Sequence, residues 1–204
     1  MCYLMQINRD HGRESSMLSV IIATDESERP LVATLAALVP GASAGAIREV
    51  IVADKGSHDQ TAEVADVAGC RVMVSPAPLA GRLRAAAGLA RAAWLMFLRP
   101  GIALDITWIP EVMRFIEQAE LAAEREPRAA AFSRGPRPAA GTLARLQDLL
   151  RRGPRPEQGL VIAKRRYDEL GGHRDGVADC EADLIRRLGR RRISVLRTVA
   201  TILD

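Results

Sequence analysis

The chain has 204 residues, a length that suits a single domain with a substantial buried core. Hydrophobic residues make up 48% of it but aromatic residues only 3%, so we expect a core built from Ala, Val, Leu and Ile. The formal net charge is only +4, and no apolar run reaches the roughly 18 residues of a membrane span.

The three cysteines and the start of the chain bear on its surroundings. The odd number and wide spacing of the cysteines exclude a disulfide framework and favour a reduced, cytoplasmic protein. Residues 6–16 are polar and contain no apolar core of a signal peptide, and the first patterned segment begins at Met17. We therefore expect residues 1–16 to be a disordered leader and residues 17–204 to form one domain.

The first patterned segments alternate between strand and helix. Leu18–Thr24 is a short β-branched apolar run, typical of a strand buried on both faces. Helical spacing of leucines follows from Pro30, and Pro40 with Gly41 is expected to close that helix. Val50–Asp54 is the next strand, so the three segments predict a βαβ unit with parallel strands.

The same alternation continues along the chain. Ser57 and Gln60 have the spacing of a capping box and predict a helix from Ser57 to about Ala68. Further elements are predicted by apolar runs and helical periodicity: strand Arg71–Val74, an Ala-rich helix through Leu83 and Ala87, strand Trp94–Leu98, helix Trp108–Ala119, strand Gly159–Ala163, helix Ala182–Leu188 and strand Ile193–Leu196. We expect a single-domain, three-layer α/β/α sandwich with a mostly parallel central sheet.

Two segments are rich in arginine. Residues 124–153 combine Arg, Pro and Ala, and we interpret them as a connector or mobile flap with one short helix at Leu143–Leu150. Arg186–Arg192 adds a second basic cluster. These arginines suit an anionic partner, such as nucleotide phosphates, a phospholipid surface or a nucleic acid, or they are solvated helix faces. Since there is no recognition motif and few aromatic residues, we expect no nucleic-acid partner.

Asp54 stands where ligands bind in open α/β sheets. Its strand ends in an acid and is followed directly by a helix, and the carboxyl ends of parallel strands face the ligand crevice. A carboxylate there can hold a ribose hydroxyl or a base N–H. The alternative is an ordinary turn from strand to helix.

Four blocks of sequence, in order, resemble the inverting family 2 glycosyltransferases, which have the nucleotide-diphospho-sugar transferase (GT-A) fold. They are Ser19–Thr24 with Glu49–Thr61, Leu89–Leu98 with Trp108, Gln158–Arg165 with Leu170-Gly171-Gly172, and Glu181–Leu188. The resemblance spans the chain from Met17 onward except for the connector. It implies a nucleotide-binding half at 17–105 and an acceptor-side half at 106–204, which includes the connector at 124–153.

The resemblance also implies a set of donor contacts. Asp54 would hold the base or ribose, Thr24 would touch the nucleotide together with one of its acidic neighbours, and two arginines would meet the diphosphate. The residues so implied are Thr24, Asp25, Glu26 or Glu28, Asp54, Arg82 and Arg84.

The sequence departs from the family at the metal site. The family places an Asp-x-Asp pair after the strand Trp94–Leu98, to hold Mg²⁺ or Mn²⁺ against the diphosphate, but this chain has Arg99-Pro100-Gly101 there. A hard cation needs carboxylate oxygens, and Asp105 lies too far along the loop to replace them with ease. Arg99 either neutralises the phosphates itself or is a solvated loop residue in a degenerate site.

The catalytic base is the second departure. Inverting transfer needs a carboxylate that removes the proton of the acceptor hydroxyl, and the family supplies it from an acidic pair at the start of a helix. Here Cys180 and Glu181 occupy that place. Glu181 is the candidate base, with Asp179 and Asp183 as alternatives, although each also suits the first turn of a helix.

The resulting expectation is a glycosyltransferase-like protein that binds a nucleotide-diphospho-sugar and transfers the sugar with inversion, possibly without a metal. The acceptor, whether a saccharide, a lipid or a small molecule, is not specified by the sequence, and neither is the oligomeric state. A peripheral contact with a membrane through the basic cluster is a further option. The alternative is a non-catalytic relative that only binds the nucleotide-sugar.

Overall fold

The structure of the protein, a computed structural model, describes residues 17–122, 129–134 and 154–203. The leader predicted at 1–16 and the short helix predicted at Leu143–Leu150 lie outside these residues. The eight strands within them are β1 Leu18–Thr24, β2 Ile47–Asp54, β3 Arg71–Val74, β4 Trp94–Leu98, β5 Ile102–Leu104, β6 Ala129–Arg134, β7 Leu160–Ala163 and β8 Ile193–Ile202. The six α-helices are α1 Glu28–Ser43, α2 Thr61–Val67, α3 Leu79–Leu89, α4 Trp108–Leu121, α5 Lys164–Glu169 and α6 Cys180–Leu188.

The strands form one mixed sheet in the order β3-β2-β1-β4-β7-β6-β8-β5. Strands β1, β2, β3 and β4 are mutually parallel. Strand β7 is antiparallel to both of its neighbours, β4 and β6, while β8 is parallel to β6. Only β5 and β7 therefore run against the rest among the described strands, which confirms the mostly parallel sheet.

Helices cover both faces of this sheet and create two hydrophobic cores. On one face Leu31 of α1, Ala65 of α2 and Trp108 of α4 pack against the sheet. On the other face Leu83 of α3 and Leu184 of α6 do the same. The three-layer architecture is thus confirmed. Within the described residues, no helix has both the length and the apolar character needed to cross a bilayer.

Helix α1 is longer than its sequence predicted. It continues through Pro40 to Ser43, and Gly41 is buried within it. The last turn is held by the Ala44 N–H, which donates to the Pro40 carbonyl at 2.9 Å. The prediction that Pro40 and Gly41 close the helix was wrong, because Gly41 packs against the ring of Trp108 and this contact keeps the turn in place.

The region treated as a connector contains a central strand. Ala129–Arg134 forms β6 between β7 and β8, with Ala129 to Phe132 fully buried. Alanine has a low intrinsic strand propensity, so the sequence gives little sign of this element, and pairing with two neighbours decides its conformation. The connector predicted at 124–153 is therefore corrected for residues 129–134.

Candidate functional site

A cleft of about 780 Å³ opens at the edge of the sheet where β1, β2 and β4 end. Thr24 stands opposite Asp54 in the ladder between β1 and β2, and Leu98 ends the neighbouring strand β4. The lining consists of Ala23, Thr24, Asp25, Ser27, Pro30, Lys55, Pro76, Ala77, Pro78, Leu79, Arg82, Leu98, Arg99, Pro100 and Glu181. This is the position that ligands take in open α/β sheets.

Asp54 lies behind the wall of the cleft. Its side chain is 1% exposed and accepts hydrogen bonds from the Thr24 hydroxyl (2.7 Å), the Ser57 hydroxyl (2.7 Å) and the N–H groups of Gly56 (2.8 Å) and Ser57 (2.7 Å). Burial opposes ionisation, but these hydrogen bonds outweigh it and hold the pKa of Asp54 below its ordinary value. The carboxylate thus fixes the turn after β2.

The capping box predicted at Ser57 is absent. Helix α2 begins at Thr61. The hydroxyl of Ser57 donates to the Asp54 carboxylate and its oxygen accepts from the Glu26 N–H at 2.9 Å, so it does not cap the helix. The prediction of a helix from Ser57 was wrong by four residues.

The acids after β1 serve different purposes. Asp25 lines the cleft and pairs with Lys55 at 2.7 Å, both side chains being about half exposed. Glu26 has a positive φ of 48° and accepts from the N–H groups of His58 (2.9 Å) and Asp59 (3.2 Å). Glu26 therefore holds the next loop and is not part of the lining.

Arg82 is the most constrained cation of the cleft. It is 5% exposed, and its Nη1 donates to the carbonyls of Thr24 (2.7 Å) and Ala53 (2.6 Å). Its Nε is buried without a hydrogen-bond partner, and no carboxylate among the described residues forms an ion pair with it. Burial lowers the pKa of Arg82 from its ordinary value, while Asp25 and Asp54 act in the opposite direction. This guanidinium is positioned to receive an anion.

Arg99 and Glu181 meet across the cleft. Nε of Arg99 donates to Oε2 of Glu181 at 2.8 Å, and Nη2 of Arg99 donates to the same oxygen. Burial raises the pKa of the Glu181 carboxyl above its ordinary value, although Arg99 pulls it down. For Arg99, burial is outweighed by the contact with Glu181, and its pKa is raised. The pair brings together Arg99 and Glu181, two residues that the sequence pattern singled out separately.

The two alternative bases have structural roles. Asp179 caps α6, and its Oδ1 accepts from the N–H groups of Glu181 (3.0 Å) and Ala182 (2.9 Å). Asp183 is 4% exposed, pairs with Arg186 and with Arg187, and is not part of the lining. The double ion pair holds Asp183 outside the lining, so these contacts favour Glu181 over Asp183 as the predicted base.

Arg84 and Asp105 lie away from the cleft. Arg84 donates to the His173 carbonyl at 2.6 Å and pairs with Asp175, so it fixes a loop and is absent from the lining. Asp105 follows β5, the strand at the far end of the sheet, and accepts from the Thr107 N–H at 3.0 Å in the turn before α4. The structure thus places Asp105 away from the cleft, in line with the sequence argument against it as a metal ligand.

A metal of the usual kind does not fit this cleft. The position of the expected acidic pair is held by the guanidinium of Arg99, and the two carboxylates of the lining, Asp25 and Glu181, are each paired with a cation. In the part of the chain that the structure describes, no group of three or more His, Cys, Asp or Glu side chains is placed to hold a metal ion. A hard cation prefers several carboxylate oxygens, which this set does not offer.

A smaller pocket of about 300 Å³ adjoins the cleft. It shares Pro78, Leu79 and Arg99 with the cleft and is otherwise formed by Ala80 and the loop from Arg174 to Cys180. Arg99 lines both spaces, and Glu181, which accepts two hydrogen bonds from Arg99, lines the cleft. Cys180 itself is buried, and burial raises the pKa of its thiol, as expected of a structural cysteine.

Sequence reasoning did not single out some lining residues. Lys55, which follows Asp54 in the sequence, was not predicted as a site residue, but it supplies a cation to the cleft. The loop from Pro76 to Leu79 follows β3, which is parallel to β2 and so ends at the same edge. That rule alone would have placed the loop at the site.

The arginines of the basic cluster, Arg186–Arg192, form two groups that differ in their contacts. Arg186 and Arg187 pair with Asp183, whereas Arg190–Arg192 form an exposed 3₁₀ turn before β8. The cluster lies outside the cleft.

The fold is that of the GT-A type glycosyltransferases, as the comparison with solved structures shows. A scan of family models and a search of curated proteins gave no match. Glucosyl-3-phosphoglycerate synthase from Mycobacterium tuberculosis, solved with Mn²⁺, UDP and glucosyl-3-phosphoglycerate, aligns with a TM-score of 0.66 at 16% identity. The alignment covers 95% of this chain and 74% of the synthase.

Two further structures have the same fold. Residues 1–349 of S. aureus TarS align with a TM-score of 0.67 at 16% identity, over 91% of this chain and 60% of that one. A mannosyltransferase from Pyrobaculum calidifontis, solved with GDP-Man and Mn²⁺, aligns with a TM-score of 0.66 at 14% identity. Here the alignment covers 89% of this chain but only 56% of the mannosyltransferase.

Proposed function

We propose that the cleft binds the diphosphate of a nucleotide-sugar donor and that the protein transfers the sugar with inversion to an acceptor in the adjoining pocket. The observation that carries this proposal is Arg82. It is buried in the wall of the cleft, fixed by two carbonyls and left without a carboxylate partner among the described residues. A buried cation of this kind is stabilised by an anion, and a diphosphate at the carboxyl edge of a parallel sheet is the ligand that the fold suits.

Arginines take the place of the metal in this proposal. Arg82 and Arg99 both line the cleft and offer planar guanidinium groups, which bind phosphate oxygens through paired hydrogen bonds. Their charge would stabilise the nucleoside diphosphate as it leaves. The proposed transfer therefore contains no metal step.

Glu181 is the proposed base. Its carboxylate would take the proton of the acceptor hydroxyl while the hydroxyl oxygen attacks the sugar carbon from the face opposite the diphosphate. The new C–O bond forms as the bond to the diphosphate oxygen breaks, and the nucleoside diphosphate departs with that electron pair. Glu181 lines the cleft and is bound by Arg99, which lines both the cleft and the smaller pocket, and this placement supports the role. The smaller pocket has room for a small molecule or for the end of a saccharide or lipid.

Titration calorimetry with UDP, GDP and dTDP tests the donor site. We expect binding of at least one of them, with the same affinity in Mn²⁺ and in EDTA. Arg82→Gln should weaken that binding about 10- to 100-fold, because a charge-assisted hydrogen bond is lost. Arg84→Gln is the matched control on the same helix and should bind as the parent does. Equal loss in both variants, or an absolute need for Mn²⁺, would contradict the proposal.

The ion pair between Arg99 and Glu181 favours a second candidate, a protein that binds the nucleotide-sugar without transferring it. In that case the carboxylate would stay engaged by the guanidinium. Release of UDP from UDP-sugars, or of GDP from GDP-sugars, separates the two candidates. Transfer to water or acceptor should release the nucleotide in the parent and not in Glu181→Gln. Donor binding with no release in either protein would support the binding protein.

A further inference from the structure

Arg99 is the only cation seen to balance Glu181 within the described residues. Both hydrogen bonds from Arg99 end on one carboxylate oxygen, and the side chain of Glu181 is only 14% exposed. Two carboxylates also act on Glu181, and both raise its pKa. Asp179 is the N-cap of the same helix, and Glu157 belongs to the 3₁₀ turn before β7. Glu181 therefore depends on Arg99 to remain ionised in this partly buried place.

Arg99 also faces the space proposed for the diphosphate. It lines the cleft together with Arg82, and its side chain is 38% exposed. A diphosphate placed against Arg82 would bring at least two negative charges near Arg99 while Glu181 still holds the Nε and Nη2 edge of the guanidinium. One guanidinium cannot neutralise both anions, and two anions that share it repel each other at short range.

We infer that Arg99 is exchanged from Glu181 to the donor diphosphate, so that donor binding itself releases the base. This inference rests on the proposed function and adds an order of events to it. Before the donor binds, Glu181 is engaged and cannot accept a proton from the acceptor. After the exchange, Glu181 faces Asp179, Glu157 and the diphosphate without its cation, which makes it a stronger base. The acceptor is then activated only when a donor is present.

A double-mutant cycle on UDP and GDP binding tests the exchange. Glu181→Gln keeps the shape of the side chain but removes its hold on Arg99, so we expect about tenfold tighter binding of whichever nucleotide the parent binds. Arg99→Gln should weaken binding. In the Arg99→Gln background, adding Glu181→Gln should change the affinity less than about twofold, because there is no guanidinium left to release.

Glu157→Gln is the control for simple charge removal. It deletes a neighbouring carboxylate that does not contact Arg99 in the ion pair, and it should change the affinity less than about twofold. Circular dichroism and thermal unfolding of each variant would confirm that the fold is retained.

Proton linkage gives a second measurement. If Glu181 loses its cation, the parent should take up protons when the nucleotide binds near neutral pH, as seen by calorimetry in buffers of different ionisation enthalpy. When the same nucleotide is titrated into Glu181→Gln, this variant should take up fewer protons than the parent does.

The possible results are distinguishable. Equal affinity of the parent and Glu181→Gln would overturn the exchange while leaving the donor site in place. A gain that persists in the Arg99→Gln background would also overturn it, because repulsion alone would then explain the gain. If none of UDP, GDP and dTDP binds to the parent or to any variant, the proposed function fails and the exchange fails with it.

Discussion

Two carboxylates at the cleft, Asp54 and Glu181, differ in what holds them. Asp54 accepts four hydrogen bonds from three residues of its own surroundings, so its position does not depend on a ligand. Glu181 is held through one oxygen by one guanidinium that also faces the cleft. A carboxylate of the first kind maintains the shape of a site, whereas one of the second kind can change partners during a reaction.

The network around Asp54 gives a prediction at the residue scale. Asp54→Ala leaves the hydroxyls of Thr24 and Ser57 and two N–H groups without their acceptor, so we expect a loss of about 2 to 4 kcal/mol in unfolding free energy. Urea denaturation measures it. Asp25→Asn removes an exposed pair with Lys55 and should cost less than about 1 kcal/mol.

The same variant tests the location of the donor site. Because Thr24 lies at the rim of the cleft and donates to Asp54, loss of Asp54 should also weaken nucleotide binding. Unchanged nucleotide affinity in a folded Asp54→Ala protein would show that the donor binds elsewhere.

How much of the site the sequence predicts depends on how far apart along the chain the contacting residues are. Asp54, Arg82, Arg99 and Glu181 can each be found from strand ends, helix starts and the family pattern. The ion pair between Arg99 and Glu181 cannot, because it joins residues 82 positions apart and is created by the fold. Likewise, the sequence does not show that the Glu26 N–H, 31 positions away, would donate to the Ser57 hydroxyl that was predicted to cap the helix.

At the scale of elements, helices α1 and α4 meet at Gly41 and Trp108. A Cβ added to Gly41 would lie 2.2 Å from Cζ2 of Trp108, and the tryptophan ring is fully buried. The contact allows the two helices to approach closely on one face of the sheet, and it explains why α1 continues past Pro40.

Gly41→Ala is therefore predicted to destabilise the protein by about 1 to 3 kcal/mol, since the core must move to admit the methyl group. Gly88→Ala is the matched control within α3. Gly88 is exposed, and an added Cβ meets nothing within 4 Å, so this change should be neutral or stabilise by up to about 1 kcal/mol. Thermal unfolding compares the two, and equal effects would contradict the proposed contact.

The strands that could be located from the sequence are those with runs of large apolar residues. β1, β4 and the second half of β2 are buried runs of large apolar residues, and their positions follow from the sequence, although β2 begins at Ile47 and not at the predicted Val50. β5 has three residues and β6 begins with three alanines, so neither has a recognisable pattern. Both exist because neighbouring strands offer hydrogen-bond partners, which is information that only the fold contains.

At the scale of the whole molecule, the acid stability of the protein is linked to His173. The ring is 1% exposed, its Nδ1 lies 2.9 Å from the Tyr167 hydroxyl, and it packs edge-on against Phe97. Burial, together with the charges of Arg187 and Arg84, lowers its pKa from 6.5 to about 4. The folded protein therefore resists protonation of this ring, while the unfolded chain does not.

The sign of the pH effect follows from that difference. Between pH 6.5 and about 4 the unfolded state binds the extra proton, so stability falls as the pH is lowered through this range. The loss attributable to His173 should be on the order of 3 kcal/mol. His173→Gln should remove that part of the slope in urea denaturation at a series of pH values.

The pairing of β5 with β8 affects how the protein folds during its synthesis on the ribosome. Ile102 pairs with Ile202, so β5 is synthesised long before its hydrogen-bond partner exists. Strand β4 likewise is synthesised before its partner β7, because Phe97 pairs with Leu160. The β4 edge of the emerging sheet therefore stays unpaired while residues 99–159 are synthesised, a period in which it is vulnerable to association with other chains.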